Sequence, residues 1–136
     1  MVCLYCGSKT DVTNSRLQRQ QNTVWRRRRC MVCGATFTSI EQSAYERALV
    51  VRYGKDRVVP FSRDQLFLSI YDACKHRTVA VSDAGALTNT IIAKLWRMAT
   101  GGSIERDDLV AVAAATLTPF DAAAAVHYQA FHPLHR

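Results

Sequence analysis

Two short apolar runs, separated by a polar turn, lie near the middle of the chain. Residues 48–53 are mostly apolar and β-branched, residues 54–56 are Gly-Lys-Asp, and residues 57–61 are again rich in valine. Two such runs separated by a short glycine-bearing turn predict a β-hairpin. Pro60 has no backbone N–H, so the second strand is expected at a sheet edge or close to its end.

The residues after the hairpin show the periodicity of helices. Apolar residues recur at three- and four-residue intervals over residues 62–76, 82–98 and 107–117, and a last helix is expected from 118 onward. This half of the chain therefore predicts a hairpin followed by about four helices.

The helix boundaries are predicted from capping residues. Ser62 and Ser82 are the expected N-caps of the first two helices, and Gly101-Gly102 is expected to end the second. Asp107 opens the third helix. Thr118-Pro119 is expected to start the fourth, with the threonine as cap and the proline at the first helical position.

The first 40 residues have too few large apolar side chains for a core of their own. They carry instead two Cys-x-x-Cys-Gly knuckles, with 23 residues between Cys6 and Cys30. Four thiolates on two tight turns can surround Zn²⁺ tetrahedrally, and the binding free energy then stabilises the fold. Short strands are expected at residues 11–16 and 21–28. The segment predicts a zinc ribbon, with the ligands Cys3, Cys6, Cys30 and Cys33.

Other uses of these cysteines fit the sequence less well. A redox Cys-x-x-Cys would not occur in duplicate without a βαβ pattern around it. Cys74, the fifth cysteine, falls in an apolar helical pattern and is expected to be a small buried residue. The knuckle begins right after Met1, and no apolar run approaches the length that crosses a bilayer. We therefore expect a cytoplasmic protein with reduced thiols, where metal is favoured over disulfides.

Charge is concentrated in the N-terminal part of the chain. The net charge is +7, of which residues 1–47 carry +5 and residues 48–136 carry +2. Such an excess favours a polyanionic partner. An arginine run can be merely a solvated face, but here four occur consecutively before the second knuckle with no acid beside them. Arginine binds phosphate bidentately and can read guanine edges. The expected nucleic-acid-binding residues are Arg16, Arg19, Arg26, Arg27, Arg28 and Arg29.

The predicted hairpin and the helix after it carry a second group of cations. The cations of the hairpin converge on its tip, and the cations of the helix could face the same tip. Such an arrangement would suit a triphosphate, although scattered surface charge is an equally good explanation. Two strand valines belong to the core or to the floor of an adenine pocket. The candidate nucleotide-binding residues are Val50, Val51, Arg52, Lys55, Arg57, Arg63, Lys75 and Arg77.

The order of these features resembles the NrdR family, bacterial transcriptional repressors of ribonucleotide reductase genes. The matching segments are Cys3-x-x-Cys6-Gly7, Asn14-Ser15-Arg16, Arg26 to Arg29 before Cys30-x-x-Cys33, Phe37-Thr38-x-x-Glu41, Val50-Val51-Arg52, Pro60-Phe61 and Lys75-x-Arg77. The resemblance implies an α+β protein with a zinc-ribbon DNA-binding domain at residues 1–46. It implies an ATP-cone at residues 47–136 that binds ATP or dATP and sets the homo-oligomer, a dimer, a tetramer or larger.

The function expected from this resemblance is a non-enzymatic, nucleotide-responsive and zinc-dependent repressor. It would bind double-stranded operator DNA upstream of ribonucleotide reductase genes, in the bacterial cytoplasm at the nucleoid and without a membrane. The alternative is a zinc-ribbon nucleic-acid-binding adaptor whose cone no longer binds nucleotide, because Val59, Gln65, Ala125 and His132 stand where the family has other residues. A regulatory subunit of the reductase itself is the third hypothesis, since ATP-cones also occur in those enzymes.

Overall fold

The structure is a computed structural model that describes residues 1–135. It confirms the α+β class, with a small sheet first and helices after a second sheet. The chain divides into two compact units, Met1–Ser43 and the residues from Ala44 onward. None of the helices in the described part of the chain has the length and apolar character needed to span a membrane.

The first unit is a three-stranded antiparallel sheet in the order β1-β2-β3. The strands are β1 (Thr10–Gln18), β2 (Thr23–Cys30) and β3 (Thr36–Glu41). The two predicted strands correspond to β1, which is longer than expected, and to β2, which has the expected length but lies two residues later in the chain. The third was missed because its alternation is weak: of its six residues, only Phe37 is buried.

Almost nothing apolar holds this first unit together. Its buried residues are two cysteines, two threonines and Phe37. The free energy of folding therefore cannot come from hydrophobic burial at the usual scale. The two knuckles can hold the strands together through a shared metal ion, since one precedes β1 and the other joins β2 to β3.

The second unit contains a small mixed sheet and five helices. Its elements are α1 (Tyr45–Ala48), β4 (Val50–Tyr53), β5 (Arg57–Pro60), α2 (Arg63–Cys74), α3 (Ala80–Met98), β6 (Ser103–Glu105), α4 (Arg106–Phe120) and α5 (Ala122–Phe131). The predicted hairpin is confirmed as β4 and β5, and β5 is an edge strand as Pro60 indicated. α1 spans the position at which the sequence placed the boundary between modules.

The strand β6 was not predicted. It pairs in parallel with β4, so the sheet order is β5-β4-β6. Three residues are too few to show a period, and parallel pairing across 50 residues has no local signal. The second helix ends at Met98 rather than at the glycine pair, which forms the turn into β6 with positive φ at both residues.

The core of the second unit forms where the helices cover the sheet. Phe61, Ile70, Ile91, Leu95 and Leu117 are almost completely buried there. The ring of Tyr45 meets the ring of Phe61 edge-on, with centroids 6.3 Å apart. Full burial of each large aliphatic side chain contributes roughly 1.5–3 kcal/mol, so this unit has a core of the ordinary kind.

Of the four predicted helix starts, those at Ser62 and Asp107 are correct to within one residue, and those at Ser82 and Thr118 are wrong. Ser62 caps α2, because its hydroxyl accepts a hydrogen bond from the Gln65 N–H at 3.2 Å. Ser82 is not a cap, since α3 begins two residues earlier, after Val79. The start of the third helix, placed at Asp107, is one residue late, because α4 begins at Arg106.

The prediction that Thr118-Pro119 starts the last helix is wrong. α4 continues through both residues, and the Thr118 hydroxyl donates back to the Ala114 carbonyl at 2.8 Å. The cap of α5 is Asp121, whose carboxylate accepts from the Ala124 N–H at 3.0 Å. Pro119 lies one residue before the end of α4, so the hydrogen bond that it cannot donate is lost only in the last turn.

Asp121 also joins three helices through ion pairs. Its carboxylate accepts from Arg77 Nη1 at 3.0 Å and contacts His76 Nε2 at 2.9 Å. The same guanidinium binds Asp83 on α3 at 2.7 Å and lies 4.4 Å from the centre of the Phe120 ring. The Ala124 N–H, followed by His76 and Arg77, holds the pKa of Asp121 well below its usual range.

Candidate functional site

The four knuckle cysteines meet at one end of the first sheet. Their Sγ atoms all lie within 4.8 Å of one another. The closest pairs are Cys6 with Cys30 at 3.4 Å and Cys3 with Cys33 at 3.7 Å. Tetrahedral Zn²⁺ with bonds of about 2.3 Å separates its sulfur ligands by about 3.8 Å. Both the donor set and the spacing therefore fit zinc, held by the four predicted ligands.

The backbone around the cysteines is arranged to support thiolates. The N–H groups of Val32 and Cys33 point at the Cys30 Sγ at 3.4 Å, and the Tyr5 N–H points at the Cys3 Sγ at the same distance. The glycines that follow the second cysteine of each knuckle both have φ of +72°. A side chain at these positions would strain the turn that aims the amides at sulfur.

The thiols differ in acidity. Hydrogen bonds from Ser8 lower the pKa of Cys6 to about 6. A backbone hydrogen bond from Ala35 lowers the pKa of Cys33, but the neighbouring thiols and burial outweigh it and raise that pKa to about 12. Four thiolates at this distance repel one another strongly. The cluster needs a bound cation to hold all four in the ionised form, which is what Zn²⁺ supplies.

The arginine run occupies β2, and its members alternate between the two faces of the sheet. Arg27 and Arg29 lie on one face, which we call the open face, and both are exposed. Arg27 donates to the hydroxyls of Thr36 at 3.0 Å and Thr38 at 3.4 Å. These bonds hold the guanidinium across β3 and leave it in solvent.

Arg26 and Arg28 lie on the opposite face and are half-buried. Arg26 donates to Ser15 at 3.0 Å and forms an ion pair with Glu41 at 3.1 Å. Arg28 donates to Ser39 at 2.9 Å and contacts the Thr10 hydroxyl at 3.4 Å. These two guanidinium groups already have partners within the sheet. The other two predicted arginines are exposed, Arg16 on β1 and Arg19 in the turn that follows it.

The candidate nucleotide-binding residues are dispersed over the second unit. On the hairpin, Arg52 donates to the Ser103 hydroxyl at 2.7 Å, and the Arg57 guanidinium lies 4.9 Å from the centre of the Tyr53 ring. Lys55 is exposed at the turn, and Val50 is half-buried in β4. Lys55 and Arg57 thus lie at or next to the turn, whereas the Arg52 side chain is directed to β6.

The candidates on the helices do not converge on that tip as a group. Arg63 donates to Asn89 at 2.9 Å, and Lys75 pairs with Asp72 on its own helix at 2.7 Å. Arg77 is held by its two aspartates and Phe120 in the contact between helices. These contacts give Arg77 a structural role in the packing of the helices.

A cavity of about 120 Å³ lies between the hairpin, α2, α4 and α5. Its apolar wall includes Val51, Val59 and Phe61, and Arg106 lines it as well. Two open clefts share lining residues with it. One, of about 450 Å³, contains Lys75, and the other, of about 510 Å³, contains Arg52. Three of the predicted residues thus lie along one groove.

Sequence reasoning missed Arg106 and Tyr128 in this groove, and it named His132 only as a departure from the family. The rings of Tyr128 and His132 stack with centroids 4.4 Å apart. Burial raises the pKa of Tyr128 to about 12, and burial followed by the charge of Arg106 lowers the pKa of His132. Both rings are therefore neutral near pH 7.

The position of Arg106 depends on the unpredicted strand. It follows β6 directly and donates to Asp107 at 3.2 Å and to the Pro133 carbonyl. Without the parallel pairing of β6 with β4, nothing in the sequence brings Arg106 beside Tyr53 and Arg52.

Comparison with known proteins agrees with these features. Residues 1–41 match the family model described as the transcriptional repressor NrdR-like N-terminal domain. The transcriptional repressor NrdR of Sphingopyxis alaskensis is 30% identical over 132 residues, 94% of this chain and 82% of that protein. That of Streptococcus gordonii is 37% identical over 108 residues, covering 79% of this chain and 68% of that protein.

The transcriptional repressor NrdR of Symbiobacterium thermophilum is 36% identical to this chain over 92 residues, which are 67% of this chain. The chain spans 60% of the length of that relative. All three relatives are named as transcriptional repressors, a regulatory role and not a catalytic one. By its zinc-ribbon match and by these identities along most of its length, the chain belongs to the NrdR family of transcriptional repressors.

Proposed function

We propose that the protein is a zinc-dependent repressor that binds double-stranded operator DNA upstream of ribonucleotide reductase genes. The observation that carries the proposal is the consecutive guanidinium groups on the central strand of a sheet that four cysteines hold together. Residues 1–46 would form the DNA-binding domain. The arginines at 16, 19 and 26–29 supply the positive charge, and Zn²⁺ on Cys3, Cys6, Cys30 and Cys33 fixes the sheet that presents it.

The second part of the proposal is control by adenine nucleotides. Residues 47–136 would bind ATP or dATP in the groove that runs between the hairpin and α5. The apolar wall formed by Val51, Val59 and Phe61 suits an adenine ring, and the partly exposed ring of His132, stacked on the buried ring of Tyr128, offers a flat surface for it. Arg52, Arg106 and Lys75 line the groove and its clefts and supply charge for phosphates.

Nucleotide binding would act on DNA binding through the oligomer. A ligand shifts an equilibrium between assemblies only by its differential affinity for them. A homo-oligomer, a dimer, a tetramer or larger, would place two ribbons at a spacing set by the DNA helical repeat. Cytoplasmic location at the nucleoid follows from this role.

A specific observation favours the alternative, a nucleic-acid-binding adaptor whose ATP-cone does not bind nucleotide. Arg77 and Lys75, two of the predicted phosphate ligands, already form ion pairs with aspartates. Under this alternative the ribbon binds nucleic acid and no nucleotide changes that binding. A reductase subunit has no comparable support, because the relatives are named as repressors.

The proposed DNA binding is tested by its dependence on salt and on the arginines. Four or five phosphate contacts per pair of ribbons give a log–log slope of the association constant against salt of about −4. Arg27→Ala combined with Arg28→Ala should abolish binding to a duplex while zinc content, measured by atomic absorption, is kept. Arg97→Ala, which removes an exposed arginine from α3, is the control for charge. A flat salt response, or operator affinity that survives the double change, would contradict the proposal.

A further inference from the structure

The open face of the ribbon sheet carries two exposed apolar side chains among its arginines. Trp25 on β2 is 44% exposed and Ile40 on β3 is 57% exposed. They are direct partners in the antiparallel register, so their side chains lie side by side on the same face. Single exposed apolar residues are ordinary, but an adjacent pair on a cationic face indicates a contact surface.

A β-bulge brings a third strand into this arrangement. The β1–β2 register shifts between Val12 and Asn14, where Thr13 is the additional residue. The shift reverses the alternation of the following residues, and Arg16 becomes the partner of Trp25. Without the bulge, Arg16 would point to the opposite face. One row across the sheet is therefore Arg16, Trp25 and Ile40.

The next rows of the open face are polar and cationic. Asn14, Arg27 and Thr38 form the second row, and Asp11, Arg29 and Thr36 form the third. The face thus offers three arginines against one aspartate, with an apolar patch at one end. Its charge complements a nucleic-acid backbone. On the opposite face, both arginines of β2 are occupied by Glu41 and by hydroxyl groups of the sheet.

Among the base edges of duplex DNA, those in the major groove offer an apolar partner for such a patch. In the major groove the C5-methyl group of thymine is the apolar feature of the base edges, whereas the minor groove presents acceptors and the guanine amino group. The major groove is about 12 Å wide and accepts a β-ribbon. Arginines beside the patch would then reach phosphates or guanine edges in the same groove.

We propose that the open face is the DNA-contacting face of the ribbon and that Trp25 and Ile40 read thymine methyl groups in the major groove. The proposal rests on the proposed DNA binding and adds the face, the groove and a base preference to it. Burying one methyl group contributes about a fourfold change in affinity, so the preference is measurable.

The test begins with a duplex recovered from a random library by selection with the full-length, zinc-loaded chain. The duplex is then prepared with thymine and with deoxyuridine, which keeps the hydrogen bonds of thymine and lacks the methyl group. Affinity measured by fluorescence anisotropy should fall about fourfold for each methyl lost from the contact. Equal affinity for the two duplexes would overturn the proposal, as would a selected duplex with no thymine at any fixed position.

A matched pair of variants assigns the effect to the face. Ile40→Ala should weaken binding to the thymine duplex and reduce its preference over the deoxyuridine duplex. Leu17→Ala is the control, because Leu17 is 58% exposed but lies on the opposite face, beside Val24. Leu17→Ala should keep both affinities. An equal effect of the two substitutions would contradict the assignment of the face.

Trp25 gives a readout that needs no change in the interface. The Trp96→Phe variant leaves Trp25 as the only tryptophan. Its emission should change on saturation with the thymine duplex and should become protected from iodide quenching. Unchanged emission and quenching in a bound complex would overturn the inference and leave the proposed function in place. Failure of the zinc-loaded chain to bind any duplex would instead refute the proposed function itself.

Discussion

At the residue scale, two neighbouring glycines differ in what they require. Gly101 and Gly102 both have positive φ, but only a Cβ at Gly102 would overlap a backbone atom, the Ala48 carbonyl oxygen at 2.7 Å. The Gly102 carbonyl accepts a hydrogen bond from the Val50 N–H at 2.9 Å. The turn therefore cannot move away from Ala48 without breaking the hydrogen bond to Val50, the first residue of β4.

Gly102→Ala should accordingly lower the free energy of unfolding by more than Gly101→Ala. The left-handed backbone alone costs an alanine about 1–2 kcal/mol, which is the effect expected at Gly101. At Gly102 the overlap adds to that cost. Urea denaturation followed by circular dichroism measures both values. Equal destabilisation would show that the close approach to Ala48 does not constrain the turn.

Asp121 should make the stability of the helical unit depend on pH in the acid range. Its lowered pKa means that the carboxylate stabilises the folded state above the unfolded pKa of about 3.9. That contribution disappears as the pH falls through the still lower folded pKa. Asp121→Asn should therefore reduce the melting temperature at pH 7, and the difference from the unchanged chain should narrow below about pH 4.

Asp72→Asn is the control for this effect. Asp72 pairs with Lys75 on the surface of α2, where both side chains are more than half exposed. Exposed pairs of this kind contribute little, so the melting temperature should hardly change. A similar loss for Asp72→Asn and Asp121→Asn would contradict the structural role of the Asp121 network.

At the element scale, the ribbon sheet is expected to depend on zinc and the helices are not. Removing zinc with a chelator should unfold β1 to β3, because that unit buries so little apolar surface. The helical circular dichroism signal of α2 to α5 should remain. Trp25 emission should shift to the red on chelation and recover when zinc is returned, while Trp96 in α3 stays unchanged.

Substitutions at the cysteines separate this effect from other losses. Cys6→Ser should lower the zinc content and disorder the ribbon in the same way as the chelator. Cys74→Ala should leave zinc at its original level, since Cys74 is buried in α2 among the helices. A ribbon sheet that survives complete removal of zinc would show that the cysteines are not its main support.

Elements with a local signal could be predicted from the sequence, and those with a distant partner could not. The knuckles, the β4–β5 hairpin and the Ser62 cap each depend on residues a few positions apart. β6 depends on β4, about 50 residues earlier, and Arg106 was missed with it. The side of the sheet on which Arg16 lies depends on a β-bulge, and no residue type in the sequence indicated that bulge.

At the scale of the whole molecule, two units of different construction are joined in one chain. The first has exposed arginines and a metal site, and the second has a core, a groove and neutral aromatic walls. The proposed control of DNA binding by nucleotide would use both units, and the coupling free energy between two ligands acts in both directions. DNA should therefore change the affinity for nucleotide as nucleotide changes the affinity for DNA.

The most direct test of this account is the affinity of the zinc-loaded chain for a selected duplex, measured by fluorescence anisotropy with no nucleotide, with ATP and with dATP. If nucleotide controls DNA binding, the dissociation constant differs by about fivefold or more between at least two of the three conditions. The same dissociation constant in all three would contradict this control, and would leave a DNA-binding zinc ribbon joined to a helical unit that does not respond to nucleotide.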